Sequence, residues 1–108
     1  MKVRIYGLKN CDSCRKAMKA LPEADLIDVR AEAVPEDVLS TALKTFGDAL
    51  VNTRSTTWRG MSDEQRKGAP RDLLIGNPTL MKRPLIAVED QLFLSWNSKI
   101  EAEIQALL

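Results

Sequence analysis

The stretch that decides the fold is "KVRIYGLKNCDSCRKAMKALPEADLIDVR", residues 2–30. Its opening, "KVRIY" (2–6), alternates Val3 and Ile5 with Lys2 and Arg4 and carries β-branched and aromatic side chains, the pattern of a strand. "GLKN" turns the chain. From Asp12 or Ser13, "SCRKAMKAL" is rich in good helix formers. Cys14, Ala17, Met18 and Leu21 share one stripe until Pro22 stops the run. "DLIDVR" (25–30) reads as a second strand. The order is β-α-β, a unit whose crossover is almost always right-handed. Both cysteines of the chain, Cys11 and Cys14, fall where the first strand hands over to the first helix.

Beyond residue 30 the pattern changes. Pro35 suits a first helical position, and Val34, Val38, Leu39, Ala42, Leu43 and Phe46 follow a helical period that Gly47 ends. "NTRSTTWRGM" (52–61) is polar and loop-like. Ser62 with Gln65 fits a capping box for a short helix. "PRDLLIG" (70–76) reads as another, opened by Pro70 and closed by Gly76. "PLIAVE" (84–89) and "QLFLSW" (91–96) are two strands about a tight turn near Glu89-Asp90, an antiparallel hairpin. Asn97 caps a last helix striped by Ile100, Ile104, Leu107 and Leu108. The expected fold is α/β: a mixed four-stranded sheet, β-α-β followed by β-β-α, in a single domain over 1–108 with a helical insertion at about 31–80.

Composition narrows the function. With 108 residues, 44% of them hydrophobic, the chain can build a core without disulfide staples. Sixteen basic and fifteen acidic residues leave a net charge of +1, which is no footprint for direct nucleic-acid binding. Charges interrupt the apolar residues of the opening, unlike a secretory signal, and no apolar run reaches the ~20 residues of a membrane span. A cytoplasmic protein is expected, where a close cysteine pair serves catalysis or metal binding rather than static cross-linking. The chain has no histidine. That excludes Cys-His and Ser-His-Asp nucleophile pairs and leaves too few ligands for zinc in one chain. No metal or bound cofactor is expected.

A thiolate is favoured at a helix N-terminus, beside cations and within Cys-x-x-Cys, and Cys11 has all three, with Arg15 about one turn away. Cys11 is read as the attacking thiolate and Cys14 as the thiol that resolves the mixed disulfide. The plainer alternatives are a small apolar helix residue at 14 with an idle turn thiol at 11, or a metal shared between two chains. Cys11 and Arg15 also make a Cys-x-x-x-Arg spacing, either an anion site at a helix start or an exposed helix arginine. Arg83-Pro84 opens a strand where proline is tolerated, and such a proline beside a reactive loop is often cis. Arg54 stands among hydroxyl donors in "VNTRSTTW", as an anion contact or a solvated surface residue. Trp58 is a cover for the cysteine loop, a contact for the substrate peptide, or a half-buried packing residue.

"YGLKNC", "VNTRSTTW" and "NPTLMKRPLI", spaced as they are, resemble the arsenate reductase (ArsC)/Spx family, most of all its short YffB-type members, and "CDSCRKA" is similar to the opening of Spx. The resemblance spans essentially the whole chain and implies a thioredoxin-like fold. It implies that Cys11 is the nucleophile, and that Arg54 and Arg83, ahead of a cis Pro84, hold an oxyanion and the thiolate. It also implies a glutathione-dependent thiol reductase, with glutathione as reducing co-substrate held by those arginines. The alternatives it carries are a redox-sensing regulator that binds the RNA polymerase α subunit, and an arsenate reductase. Against the last, no arginine stands near Trp96, where arsenate reductases of the family carry a third, and Gly7 replaces their histidine.

Overall fold

The computed structural model describes residues 2–108. In chain order the elements are β1 (Val3–Gly7), α1 (Asp12–Ala20), β2 (Asp25–Asp28), α2 (Glu36–Phe46), α3 (Thr56–Arg59), α4 (Asp63–Arg66), α5 (Pro70–Gly76), β3 (Leu85–Val88), β4 (Gln91–Leu94) and α6 (Ser98–Leu107), with 3-10 turns at Gly47–Leu50 and Pro78–Leu80. They fall into two compact units. One joins the residues up to Glu32 with Arg83–Leu108, and the other is Ala33–Lys82.

The first unit holds the whole sheet, in the order β2-β1-β3-β4. β1 pairs parallel with β2 and antiparallel with β3, and β3 pairs antiparallel with β4. Val3 and Ile5 of β1 and Ile86 and Val88 of β3 form one core with Ala17 and Leu21 of α1 and Ile104 of α6. Period-2 alternation puts Tyr6 of β1 and Leu85 of β3, partners in register, on the other face. Both are fully buried, so the central strands are covered on both sides.

Strand and helix ends differ from expectation for local reasons. β2 stops at Asp28 rather than at residue 30, because the Asp28 carboxylate accepts the Arg30 N–H at 2.8 Å and the Asp28 carbonyl accepts from Ala31 and Glu32, closing a turn. β3 loses both ends of 84–89: Pro84 has no N–H to add to the ladder, and Glu89 turns with φ 52°. β4 ends at Leu94 because Ser95 adopts φ 75°. Asn97 caps α6, its side chain accepting the Ile100 N–H at 2.9 Å. Leu108 is a correction: it lies past the last helical residue and is 58% exposed, while Ile100 and Leu107 do pack on the core.

In the second unit, Pro35 sits at the N-cap of α2, one residue before the position expected for it, and Gly47 ends the helix at φ 57°. α5 docks beside α2 through Arg71, which pairs with Glu36 and donates to Ser40 Oγ at 3.0 Å. Backbone bonds from Asn52 to Leu80 and from Lys82 to Leu50, both 2.8 Å, tie the start of the loop region to the segment after α5. The polar run 52–61 is not all loop. Ser55 caps a helical turn, α3, accepting the Trp58 N–H at 3.1 Å while its hydroxyl donates to the Asn52 carbonyl at 2.8 Å. α4 carries the expected Ser62–Gln65 capping box.

Candidate functional site

Cys11 occupies the N-cap of α1 with extended backbone, φ −97° and ψ 125°, and its side chain makes no capping hydrogen bond. Helix starts are usually capped by an oxygen that accepts a first-turn N–H. A sulfur at that position leaves those donors and the positive end of the helix directed at whatever anion forms there, beginning with its own thiolate. The preceding loop is held by the Cys11 N–H, which donates to the Leu8 carbonyl at 3.3 Å.

Cys14 follows one turn later in a different environment. Both cysteines are free thiols, but Cys11 is half-buried whereas Cys14 is 1% exposed. Burial, reinforced by hydrogen bonding and charge from Cys11, pushes the Cys14 thiol up from 9.0 to about 11. A backbone hydrogen bond from Leu8 and the positive charge of Arg83 oppose the rise. At neutral pH Cys14 therefore keeps its proton and is the donor toward Cys11.

Arg83 is half-buried and Pro84 buried, and the peptide between them is cis. The Pro84 carbonyl accepts the Ser95 N–H at 2.8 Å. The side chain of Arg15 is exposed. Its Nε donates to the Lys9 carbonyl at 3.1 Å, and Nη1 lies 4.0 Å from Asp12 Oδ1. Water screens this last pair. Trp96, near which the resemblance would put a third arginine, packs against the hydrophobic core.

Cys11, Cys14, Arg15, Arg83 and Pro84 thus belong to the sheet unit. Arg54 belongs to the other unit, exposed in the turn before α3, with its N–H donating to Asn52 Oδ1 at 3.0 Å. In that unit Trp58 is half-buried under the Arg66 guanidinium, 5.2 Å from the ring centroid. Arg66 also donates to the Trp58 carbonyl at 2.9 and 3.2 Å. Among the described residues, no group of three or more His, Cys, Asp or Glu side chains could hold a metal ion, and no helix is long and apolar enough to cross a membrane.

Two contributions are not announced by motif or spacing, the backbone of Leu8 and the close seat that Gly7 offers Cys14. Gly7 was visible in principle. It continues the alternation Val3, Ile5, Gly7 on the face that meets α1, where Cys14 heads the apolar stripe.

With this geometry in place, comparison with known proteins defines the class. The model of the ArsC family matches residues 6–104, and the chain belongs to that family. Its mixed sheet with flanking helices is the family's thioredoxin-like fold. A solved structure named YFFB superposes with a TM-score of 0.83 over 99% of this chain and 100% of its own, at 23% identity. An uncharacterized protein of Haemophilus influenzae is 37% identical over 90% of this chain and 93% of its own length. The global transcriptional regulator Spx of Listeria innocua is 29% identical over 98% of this chain and 86% of its own.

Proposed function

We propose that this protein is a cytoplasmic thiol–disulfide oxidoreductase that draws electrons from glutathione, with Cys11 as nucleophile and Cys14 as resolving thiol. The observation that carries the reading is the asymmetry of the pair: a half-exposed cysteine at a helix start and a buried, protonated one a turn behind it. The Cys11 thiolate attacks one sulfur of a substrate disulfide and bonds to it. The other sulfur leaves as a thiolate and takes a proton from solvent. Cys14 then loses its proton and attacks Cys11 Sγ, the second substrate thiolate departs, and the substrate has gained two electrons. Two glutathione molecules reduce the resulting Cys11–Cys14 disulfide and become glutathione disulfide.

The causes of the Cys14 shift support this order. Two of those that raise it, the hydrogen bond and the charge, come from Cys11. Both are lost once Cys11 Sγ is in a mixed disulfide, while Leu8 and Arg83 continue to favour the Cys14 thiolate. Cys14 becomes easier to ionise when it is needed. Arg83 offers a cation for a glutathione carboxylate or another anionic substrate.

The test is turnover of a small disulfide by glutathione, coupled to NADPH through glutathione reductase. The wild type should turn over, and Cys11→Ser should be inactive. Cys14→Ser should accumulate a glutathione adduct on Cys11, read by intact mass. Turnover that survives Cys11→Ser would sink the reading. The likeness to Spx across nearly the whole chain favours a second reading, a redox-switched regulator. Capture of the RNA polymerase α subunit by the oxidised protein alone, with no glutathione turnover, would select it. Oxidation of glutathione only when arsenate is present would select arsenate reduction instead.

A further inference from the structure

The space that a side chain at residue 7 would need is already occupied. A Cβ built on Gly7 would overlap the Sγ of Cys14 and would come to 3.4 Å from its Cβ. Gly7 closes β1, pairs in register with Asp28 of β2, and its carbonyl accepts the Val29 N–H at 3.1 Å. Its position is therefore fixed by the sheet and cannot give way. Nor is the glycine required by its own backbone, since its φ lies outside the left-handed region in which only Gly47 is found among the glycines. What the glycine supplies is room for one sulfur atom.

We propose that Gly7 is the positioning residue of Cys14: the missing side chain lets the buried thiol seat against the end of β1, one turn from Cys11 and beside the Leu8 backbone. The proposal deepens the thiol-exchange reading and rests on it for its chemical consequence. In the resolving step the Cys14 thiolate must approach Cys11 Sγ in line with the bond that breaks. A methyl group at residue 7 pushes Cys14 Sγ off this seat and costs the second step, while the first step, at Cys11, is untouched.

The experiment is Gly7→Ala in the full chain, with two readouts. In the first, reduced protein is mixed with glutathione disulfide and its mass followed in time. Cys11 should take up glutathione at the wild-type rate, while closure of the Cys11–Cys14 disulfide slows on the order of tenfold or more. In the second, urea midpoints are measured for Gly7→Ala, Cys14→Ala and the double variant. Gly7→Ala should lower the midpoint in the wild-type background and leave it unchanged or raised when Cys14 is alanine, because alanine suits a strand better than glycine does. Should Gly7→Ala fail to fold, the double variant should recover folding. Closure at the wild-type rate in a folded Gly7→Ala protein, or an equal loss of stability in both backgrounds, would overturn the proposal. A wild type whose Cys11 takes up no glutathione would instead overturn the thiol-exchange reading, and the urea series would still decide whether Gly7 seats Cys14.

Discussion

The charge of Arg83, at the start of the second half of the sheet, acts on the buried thiol of Cys14 in the first helix. Chain order separates them widely, and the antiparallel pairing of β1 with β3 brings their segments together. The arginine partly offsets the burial that keeps Cys14 protonated.

Removing that charge should slow resolution. In Arg83→Gln the Cys14 thiol should rise further. Closure of the Cys11–Cys14 disulfide near pH 8 should fall roughly tenfold for each unit of rise, because the thiolate fraction falls in that proportion. Arg83→Lys should recover much of the rate. Stopped-flow alkylation followed by mass measurement, repeated from pH 7 to pH 10, checks both.

Cys14 also makes stability depend on alkaline pH. Its folded value, about 11, lies above its ordinary 9.0, so the folded state holds the proton where the unfolded chain releases it. The stability this carries is complete below about pH 9 and is lost as pH rises from 9.0 toward about 11. At order-of-magnitude level the loss is up to about 2–3 kcal/mol. Urea unfolding of the reduced protein across that window should show the decline, and Cys14→Ala should remove that share of it.

Tyr6 is fully buried, and its hydroxyl has no hydrogen-bond partner among the described residues. Tyr6→Phe keeps the ring and strands no partner, so stability should be unchanged or higher by about 1 kcal/mol. Tyr6→Ala should cost about 3–5 kcal/mol through the cavity it opens. Thermal or urea denaturation separates the two.

Two caps should differ in worth. Asn97 is exposed and supplies one acceptor to α6, so Asn97→Ala should cost about 1 kcal/mol. Ser55 is 8% exposed and makes two bonds, so Ser55→Ala should cost more, about 2 kcal/mol, by leaving the Trp58 N–H without its acceptor in a buried place, although the Asn52 carbonyl keeps the Ser55 N–H. The order of their urea midpoints is the check.

The sequence alone carries the elements that local chemistry dictates. β1, α1 and the final hairpin follow from alternation, helical spacing and turn residues, and Asn97 and the Ser62–Gln65 box announce helix starts through their own side chains. It also placed Cys11 and Cys14 at a helix start, because that depends on adjacent residues alone. What it could not decide was anything settled by the angles and the burial that the backbone takes up on folding. Ser95, Glu89 and the Asp28 turn trim the strands through backbone angles and bonds that composition does not announce. α3 forms inside a polar run because Ser55 is buried and bonded on both sides. The unequal environments of the two thiols, and the glycine that makes room for one of them, exist only after the sheet has brought Gly7, Leu8 and Arg83 around α1. Burial and charge are sums over neighbours in space, and only the folded chain defines those neighbours.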